Sequence, residues 1–462
     1  RTYALTLSGF DTPASVMGVQ EAAVQLQTLA TLLKPYFEQW QTTNRKEARQ
    51  VQQLLDGAVA FCKKNPDFDT FDRMTFIRKF ADPLYIALHT MQQELQIVYS
   101  GLPSPLRDTA TSLFSTRALD TRFFRKWKPT APVNPEVVAL GRMLFFDPVL
   151  SGNGERSCAS CHRPDKAFTD GAETSTMFDG KNKLTRNAPT IINAGFQTTL
   201  FYDARVNFFE EQARAVITNV DELHGDLLES ARKINAMNEY RQLFRNAFRG
   251  TPDTVVSAQA VLTALSEYER AMITLNSRFD KHIRGEGNLL SAKESDGFNL
   301  FLGKAQCGTC HFVPLLNGTV PPNYRMTETE VLGVPAFPDT LKGTADKDPG
   351  RFGINNVPLQ HGAFKTPSLR NVELTAPYMH HGRYRTLEEV IDFYNKGGGQ
   401  GIGLEVPNQT LPAEPLNLNR YEKEALVDFL KTLNDTTGCT QKPAWLPALP
   451  GETKRREVVI GY

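Results

Sequence analysis

Two copies of one five-residue pattern constrain this chain more than anything else in it. Cys158, Cys161 and His162 form the first Cys-x-x-Cys-His, in "SCASCH", and Cys307, Cys310 and His311 form the second, in "AQCGTCH". The pattern is the signature of covalent c-type haem attachment, in which two thioether bonds hold the porphyrin and the adjacent histidine reaches its iron. A four-cysteine zinc site could use the same two Cys-x-x-Cys pairs. Nothing in that reading requires a histidine directly after each pair. Two covalent haems are therefore expected, with His162 and His311 as iron ligands.

The bulk numbers are those of an ordinary globular protein. At 462 residues the chain has room for two or three domains, at roughly 100–200 residues each. Its hydrophobic fraction of 40% and charged fraction of 22% are ordinary for a globular protein. A formal net charge of +1 gives no whole-molecule attraction to nucleic acid or to an anionic membrane. No run approaches the roughly 18 apolar residues of a membrane helix. The start, "RTYALTLSGF", has no charged n-region followed by an apolar h-region, so an export signal is expected to have been removed already. Because c-type haem is attached outside the cytoplasm, the expected location is the periplasm. Cys62 and Cys439 are left over. They form either a disulfide tying an early helix to the C-terminal tail or two separate buried thiols.

Periodicity points to helices almost throughout. Val16, Val19, Ala23, Leu26, Ala30 and Leu33 recur at helical steps, as do Val51, Leu54, Leu55 and Val59. A third helical stretch, residues 71–98, has a kink or break expected at Pro83. It holds His89, for which a structural part is expected. "YSGLPSPLRDTA" (99–110) reads as a connector and "KWKPTAPVNPE" (126–136) as a linker. Each haem motif follows a similar apolar segment, "LGRMLFFDPVLSGNGERSCASCH" and "GFNLFLGKAQCGTCH", an internal repeat. Long helical stretches follow, residues 254–275 and 419–435, and strand alternation is scarce. "KGGGQGIG" (396–403) follows a helix and reads as a flexible turn, not a dinucleotide loop. The expected fold is mainly α: two c-type cytochrome haem domains plus an N-terminal helical extension. The expected division is a helical extension at 1–127, an N-terminal haem domain at 128–290, a C-terminal haem domain at 291–435 and a tail at 436–462.

The paired motifs, with "RNAPTIINAGF", "FEEQA" and "TPSLRNVELTAPYMHHG" around them, resemble the bacterial diheme cytochrome c peroxidase family, whose superfamily includes the methylamine-utilisation enzyme MauG. The likeness runs from about residue 130 to 435. It implies a peroxide-reactive N-terminal haem and an electron-relaying C-terminal haem. In the family a glutamine and, ten residues later, a glutamate overhang the reactive face; Gln212 and Glu222 hold that spacing. A carboxylate there can move a proton between the two peroxide oxygens, and an amide can orient them. Taken alone, Glu222 could equally cap or solvate a helix end. In reductively activated relatives a histidine after the first motif blocks the iron. Between His162 and His224 this chain has no histidine, and Met177 is read as a loop residue, so the face is expected to be open.

For the second haem the resemblance implies Tyr394 as the sixth ligand, as in MauG, where the peroxidases use methionine. Met379 or His380 is the fallback. Thr386 and Glu389 form a capping box that starts a helix near Leu387, and Leu387, Val390, Ile391 and Tyr394 share its face. A phenolate would stabilise ferric or higher iron and lower the potential. An inter-haem calcium is implied at the side chains of Asn187 and Thr375 and the carbonyl of Pro377, neutral oxygen donors that suit it. The chain also departs from the family pattern. Tyr202 stands where the inter-haem tryptophan is found, Val216 where a proline is, and Ala305 where MauG has the surface tryptophan that oxidises its protein substrate.

The expected activity is that of a periplasmic diheme peroxidase reducing hydrogen peroxide at the N-terminal haem, without reductive activation and through a high-valent diheme state. Glu222 serves as acid/base, Gln212 orients, Tyr202 relays electrons, and the C-terminal haem passes them on. The donor is a small cytochrome c, a cupredoxin or an unidentified substrate. The alternatives are a MauG-like oxidase of a protein or other substrate, a diheme electron-transfer protein without peroxide chemistry, and a haem-based sensor. No nucleic-acid partner or transmembrane segment is expected, and homodimerisation is left open.

Overall fold

The computed structural model describes residues 2–98, 104–126, 131–249, 256–338 and 343–460. The expected 127/128 boundary lies outside the described residues. So do residues 127–130 of the linker, 99–103 of the connector and 254–255 at the start of the later helical stretch.

The N-terminal region opens with a π-helical turn at Thr2–Thr6, followed by α1 (Gly18–Trp40) and α2 (Arg45–Lys64). Next come α3 (Arg73–Phe76) and α4 (Asp82–Glu94), joined without a break through a π-helical turn at Ile77–Ala81. The interruption expected at Pro83 therefore falls just ahead of it. Pro83 sits in the first turn of α4, where a missing N–H breaks no ladder bond, and the wider turn before it makes room for the ring. His89 bonds through Nε2 to the carbonyl of Asp108 at 2.6 Å, joining α4 to the segment beyond the connector.

Val19, Ala22, Ala23 and Leu26 of α1 are buried with Ala48, Val51, Leu55 and Ala58 of α2. Their core does not stop at the extension. It continues through Phe71, Met74 and Ile77 into Phe298, Phe301, Leu302, Ala305, Leu426 and Phe429, residues that flank the second haem motif.

The rest of the described chain is two similar helix pairs with additions. The first unit has α5 (Pro135–Phe146), α6 (Phe209–Thr218), α7 (Leu227–Ala236), α8 (Asn238–Ala247) and α9 (Ala258–Ala271). The second has α10 (Arg278–Ile283), α11 (Ala292–Leu302), α12 (Phe352–Asn355), α13 (Leu387–Asn395), α14 (Gly398–Gly401) and α15 (Arg420–Lys431). Among the described residues the one named strand pair is β1 (Thr329–Val331) with β2 (Ala363–Lys365), antiparallel, Glu330 opposite Phe364. Helix α5 crosses α9 at Gly141, where a Cβ would stand 1.8 Å from the Ala264 carbonyl oxygen. Helix α11 crosses α15 at Gly297, where a Cβ would stand 2.0 Å from the Ala425 carbonyl oxygen. The repeat read in the sequence is thus one packing device used twice.

Cys62 is buried in the core of the extension and Cys439 in that of the first haem unit, and both thiols are free. The disulfide alternative is overturned because the two side chains belong to different cores. The C-terminal tail instead anchors through charge. Arg456 Nη1 and Nη2 bond the two oxygens of Asp147 at 3.0 and 2.6 Å, and Tyr240 adds its hydroxyl at 2.7 Å. Among the described residues no helix is long and apolar enough to cross a membrane.

Because the two crossings leave no room for a methyl group, Gly297→Ala should cost about 1–3 kcal/mol through overpacking. Gly353→Ala, whose Cβ would meet only Pro349 ring atoms at 3.2 Å or more, should stay within about 0.5 kcal/mol. Thermal melts of both variants check this, and equal melting temperatures would refute it.

Candidate haem sites

Each haem motif folds as a tight turn that leaves one histidine nitrogen free. Cys158–Ser160 forms a 3-10 turn, with the Ser157 N–H donating to Ser160 Oγ at 3.2 Å. His162 then donates Nδ1–H to the Phe168 carbonyl at 3.0 Å. Cys307–Thr309 repeats the turn, and His311 donates Nδ1–H to the Pro367 carbonyl at 3.1 Å. A carbonyl only accepts, so the tautomer follows and Nε2 keeps its lone pair for a metal. Burial pushes the pKa of both rings down, that of His311 to about 4, so both are neutral as ligation requires. Phe145 packs on His162 and Phe301 on His311, with ring centroids 6.4 and 6.5 Å apart. Among the described residues no three His, Cys, Asp or Glu side chains converge on one point, so the two cysteine pairs do not assemble into a zinc site. The residues present fit two separate haems.

In the first unit, α6 carries Gln212, whose Oε1 is buried and has no hydrogen-bond partner among the described residues. After α6 the chain turns back. Glu222 N–H donates to Asn219 O at 3.1 Å, Gly225 N–H to Ile217 O at 2.7 Å, and Gly152 N–H to Leu223 O at 2.9 Å. That turn brings the Glu222 carboxylate close enough to Cys158 to interact with it electrostatically. Asn219 Nδ2 donates to Glu222 Oε1 at 2.9 Å. Burial raises the Glu222 pKa, opposed by the Asn219 bond and by Arg205. Glu222 caps no helix, because the cap of α7 is Asp226, which accepts from Glu229 N–H at 2.7 Å.

The histidine-free loop lies against this turn. Arg156 holds the carbonyls of Thr176 and Met177, and Phe178 N–H donates to Asp221 O at 2.7 Å. His224 is exposed and packs edge-on against Phe178 at 5.1 Å.

Sequence reasoning passed over Glu269 on α9. It is 6% exposed, and burial raises its pKa to about 8, with Arg270 opposing and Glu210 reinforcing the shift. It too interacts with Cys158. Its neighbour Arg270 bonds Glu267 Oε1 at 2.7 Å. The available signal was a Glu-Arg pair breaking the apolar stripe of "AVLTALSEYERAMI".

Between the two units, Asn187 and Tyr202 stitch one to the other. The Tyr202 hydroxyl donates to Asn187 Oδ1 at 3.4 Å, and its carbonyl accepts from Lys365 N–H on β2 at 2.7 Å. Asn187 N–H donates to His380 O at 2.7 Å, and its Nδ2 to Ala172 O at 2.9 Å. Arg186 bridges Asp203, at 2.6 Å, and Asp348, at 2.7 and 2.8 Å. Burial pushes the Tyr202 phenol pKa up, with Arg186 opposing. Thr375 Oγ1 donates to Val372 O at 3.2 Å, and Pro377 follows a cis bond in the same segment.

At the second motif, α13 begins with the expected capping box of Thr386 and Glu389. Near its end Tyr394 packs with Val334, Met379, Tyr384 and Phe393. Burial drives its phenol pKa up strongly, followed by Cys310, Cys307 and Glu330, so the side chain lies near both attachment cysteines. His380 is engaged elsewhere, with Nε2 on Asp346 Oδ1 at 3.1 Å and its ring stacked on Phe364 at 3.9 Å. Val216 packs against the first core, and Ala305 is buried beneath the extension at 6% exposure.

Comparison with known proteins agrees with this layout. Residues 135–288 match the family model described as di-haem cytochrome c peroxidase. The chain is 35% identical over 303 residues to the methylamine utilization protein MauG of Methylorubrum extorquens, covering 65% of this chain and 79% of that one. It is 32% identical over 327 residues to the cytochrome c551 peroxidase of Nitrosomonas europaea, covering 70% and 86%. Among solved structures, a MauG-like protein associated with microbial copper homeostasis superposes with a TM-score of 0.61 at 30% identity, over 74% of this chain and 97% of the other.

Glu269 supplies a pH test. With its pKa raised from 4.5 to about 8, the folded chain holds a proton that the unfolded chain releases. Stability from this group is therefore full below pH 4.5 and is lost as pH rises towards about 8. Glu269→Gln should remove that slope, so the variant gains on the parent across this range in urea titrations. Parallel curves would mean that Glu269 is ionised in the folded chain.

Proposed function

The chain belongs to the di-haem cytochrome c peroxidase and MauG family, as a peroxidase-class oxidoreductase with two c-type haems, and from that premise we propose that it reduces hydrogen peroxide at the haem held by Cys158 and Cys161. The observation that carries the reading is a carboxylate brought beside that motif. Glu222 has a raised pKa and is turned back towards Cys158, and Gln212 on α6 has a buried amide oxygen with no hydrogen-bond partner among the described residues. Glu222 takes the proton from the near peroxide oxygen and delivers it to the departing one. Gln212 orients the peroxide, and Asn219 holds Glu222 in place. When bound, the haems supply the electrons and share the oxidising equivalents between both centres.

The remaining roles follow from position. His162 and His311 would offer Nε2 to the two irons, and Tyr394 would be the second ligand of the C-terminal haem; of the two fallbacks, His380 is held by Asp346 and Met379 packs in the same cluster as Tyr394. The loop lying over the Glu222 turn contains no histidine, so the N-terminal site reacts in the fully oxidised protein. Tyr202 relays electrons between the units, with its hydroxyl hydrogen-bonded to Asn187 Oδ1. Asn187, Thr375 and the Pro377 carbonyl hold a calcium ion of structural use. The protein works in the periplasm, with a small cytochrome c or a cupredoxin as donor. The MauG-like reading, oxidation of a protein substrate, is disfavoured by the burial of Ala305.

Stopped-flow mixing of the fully oxidised protein with peroxide tests the centre of this reading. Fast haem conversion is expected, slowed by about 10²–10⁴ in Glu222→Gln. A requirement for one added electron before any reaction would overturn the open site. Tyr394→Met should raise the midpoint potential of the second haem by about 0.1 V or more, within the roughly 0.8 V that axial ligands span. An unchanged potential in redox titration would remove Tyr394 from the iron.

A further inference from the structure

The attachment edge of the second haem is not left to solvent. Thr6, Leu7 and Ser8 are each 0% exposed and run across the Cys-x-x-Cys turn. A Cβ on Gly308, inside that turn, would stand 3.2 Å from Ser8 Cβ. Phe10 packs edge-on against Phe312, the residue after His311, at 5.1 Å.

A buried cation locks this segment down. Arg73 of α3 is 0% exposed. Its Nε donates to the Leu7 carbonyl at 2.9 Å, Nη1 to Phe71 O at 3.1 Å and Nη2 to Phe68 O at 2.8 Å. Its guanidinium lies 4.4 Å over the Phe68 ring and would touch a Cβ placed on Gly303, at 2.6 Å from Nη1. Helix α3 is in turn tied to α11: Met74 N–H donates to Asn299 Oδ1 at 2.9 Å, and Asn299 Nδ2 donates to Asp72 Oδ1 at 3.1 Å. Ala305, two residues before Cys307, lies in the core formed underneath.

We propose that residues 4–10 and α3 are a built-in cover of the second haem site, shutting water and any docking protein away from its attachment edge. The proposal rests on the peroxidase reading and narrows it, because an electron donor must then enter away from this edge. The fit is that of a permanent element: removing Arg73 from its three carbonyls would leave buried acceptors unpaired on both sides, and the segment shares one apolar core with α11 and α15. Its energetic consequence is on the haem potential, which solvent exposure and nearby charge both set. Excluding water and placing a guanidinium near the motif both disfavour the ferric charge, so the cover raises the potential.

The test uses the full-length, haem-loaded protein without peroxide, so it stands or falls separately from the peroxidase reading. Hydrogen exchange of amides 303–312 should be as slow as that of α9; exchange as fast as in an exposed loop would overturn the cover in the parent protein itself. Ser8→Trp, too large for its place beside Gly308, should speed that exchange and shift the second haem midpoint downward, leaving the first haem unmoved. If exchange accelerates and the second midpoint stays where it was, the cover does not insulate that haem. Should Ser8→Trp fail to accumulate, Phe10→Ala gives the same two readouts with a smaller expected shift.

Discussion

Both haem units depend on a helix crossing that only glycine permits. At Gly141 and Gly297 the partner helix presents a backbone carbonyl within 2.0 Å of where a Cβ would be, so the helices close to backbone contact and their flanking side chains interlock. Four residues further on, Phe145 and Phe301 meet the two motif histidines. Those histidines are fixed from the other side by the carbonyls of Phe168 and Pro367. Rotation of either ring would break that bond and lose the aromatic contact, so the direction of Nε2 is set before any metal arrives. A hydrogen bond from the other ring nitrogen to a carbonyl orients metal-binding imidazoles generally. Here the orientation traces back to a helix crossing in each unit.

Around these matched frames the two sites carry different chemistry. The first has carboxylates whose pKa burial raises: Glu222 on a turn held by Asn219, and Glu269 on a helix beside Arg270. Burial of this kind favours the protonated form of each carboxyl group. The second has Tyr394 close to both attachment cysteines, while His380 is tied to Asp346. Under the proposed reading, the site with buried carboxylates would carry the peroxide chemistry and the site with Tyr394 would hold charge. The join between them runs through Asn187 and Tyr202, each bonded to the other and to the opposite unit.

The features legible in the sequence were the local ones. The Cys-x-x-Cys-His turns, the Thr386–Glu389 capping box and the helix faces of α1 and α2 each depend on residues within a few positions of one another. What stayed hidden depends on pairs far apart in the chain. Asp147 meets Arg456 across the whole of the haem units, and Arg73 takes the Leu7 carbonyl from another segment. Cys62 and Cys439 looked like a pair by count, yet they sit in separate cores. Pro83 marked an interruption whose position slid to Ile77–Ala81, because proline is harmless in a first turn and the strain falls on the residues before it. Glu269 was visible as a charge in an apolar stripe, but only the packing of α6 on α9 shows that it is buried.

The extension bears on what kind of partner the second unit could meet. Had it been a separate docking module, its apolar faces would have closed on themselves and its polar surface would have met the haem units. Instead Phe71, Met74 and Ile77 enter the same core as Phe298, Phe301 and Phe429, and Arg73 is buried with three carbonyls as hydrogen-bond partners and its guanidinium over the Phe68 ring. A guanidinium is costly to bury unless its surroundings satisfy it, and three carbonyls from two segments, supported electrostatically by Asp69 and Asp67, make a contact built to persist. A protein substrate oxidised through the surface at Ala305 would have to displace that contact together with the core behind it. The cost of doing so, set against the small net stability of any folded domain, argues that this chain turned a surface other family members could present into interior.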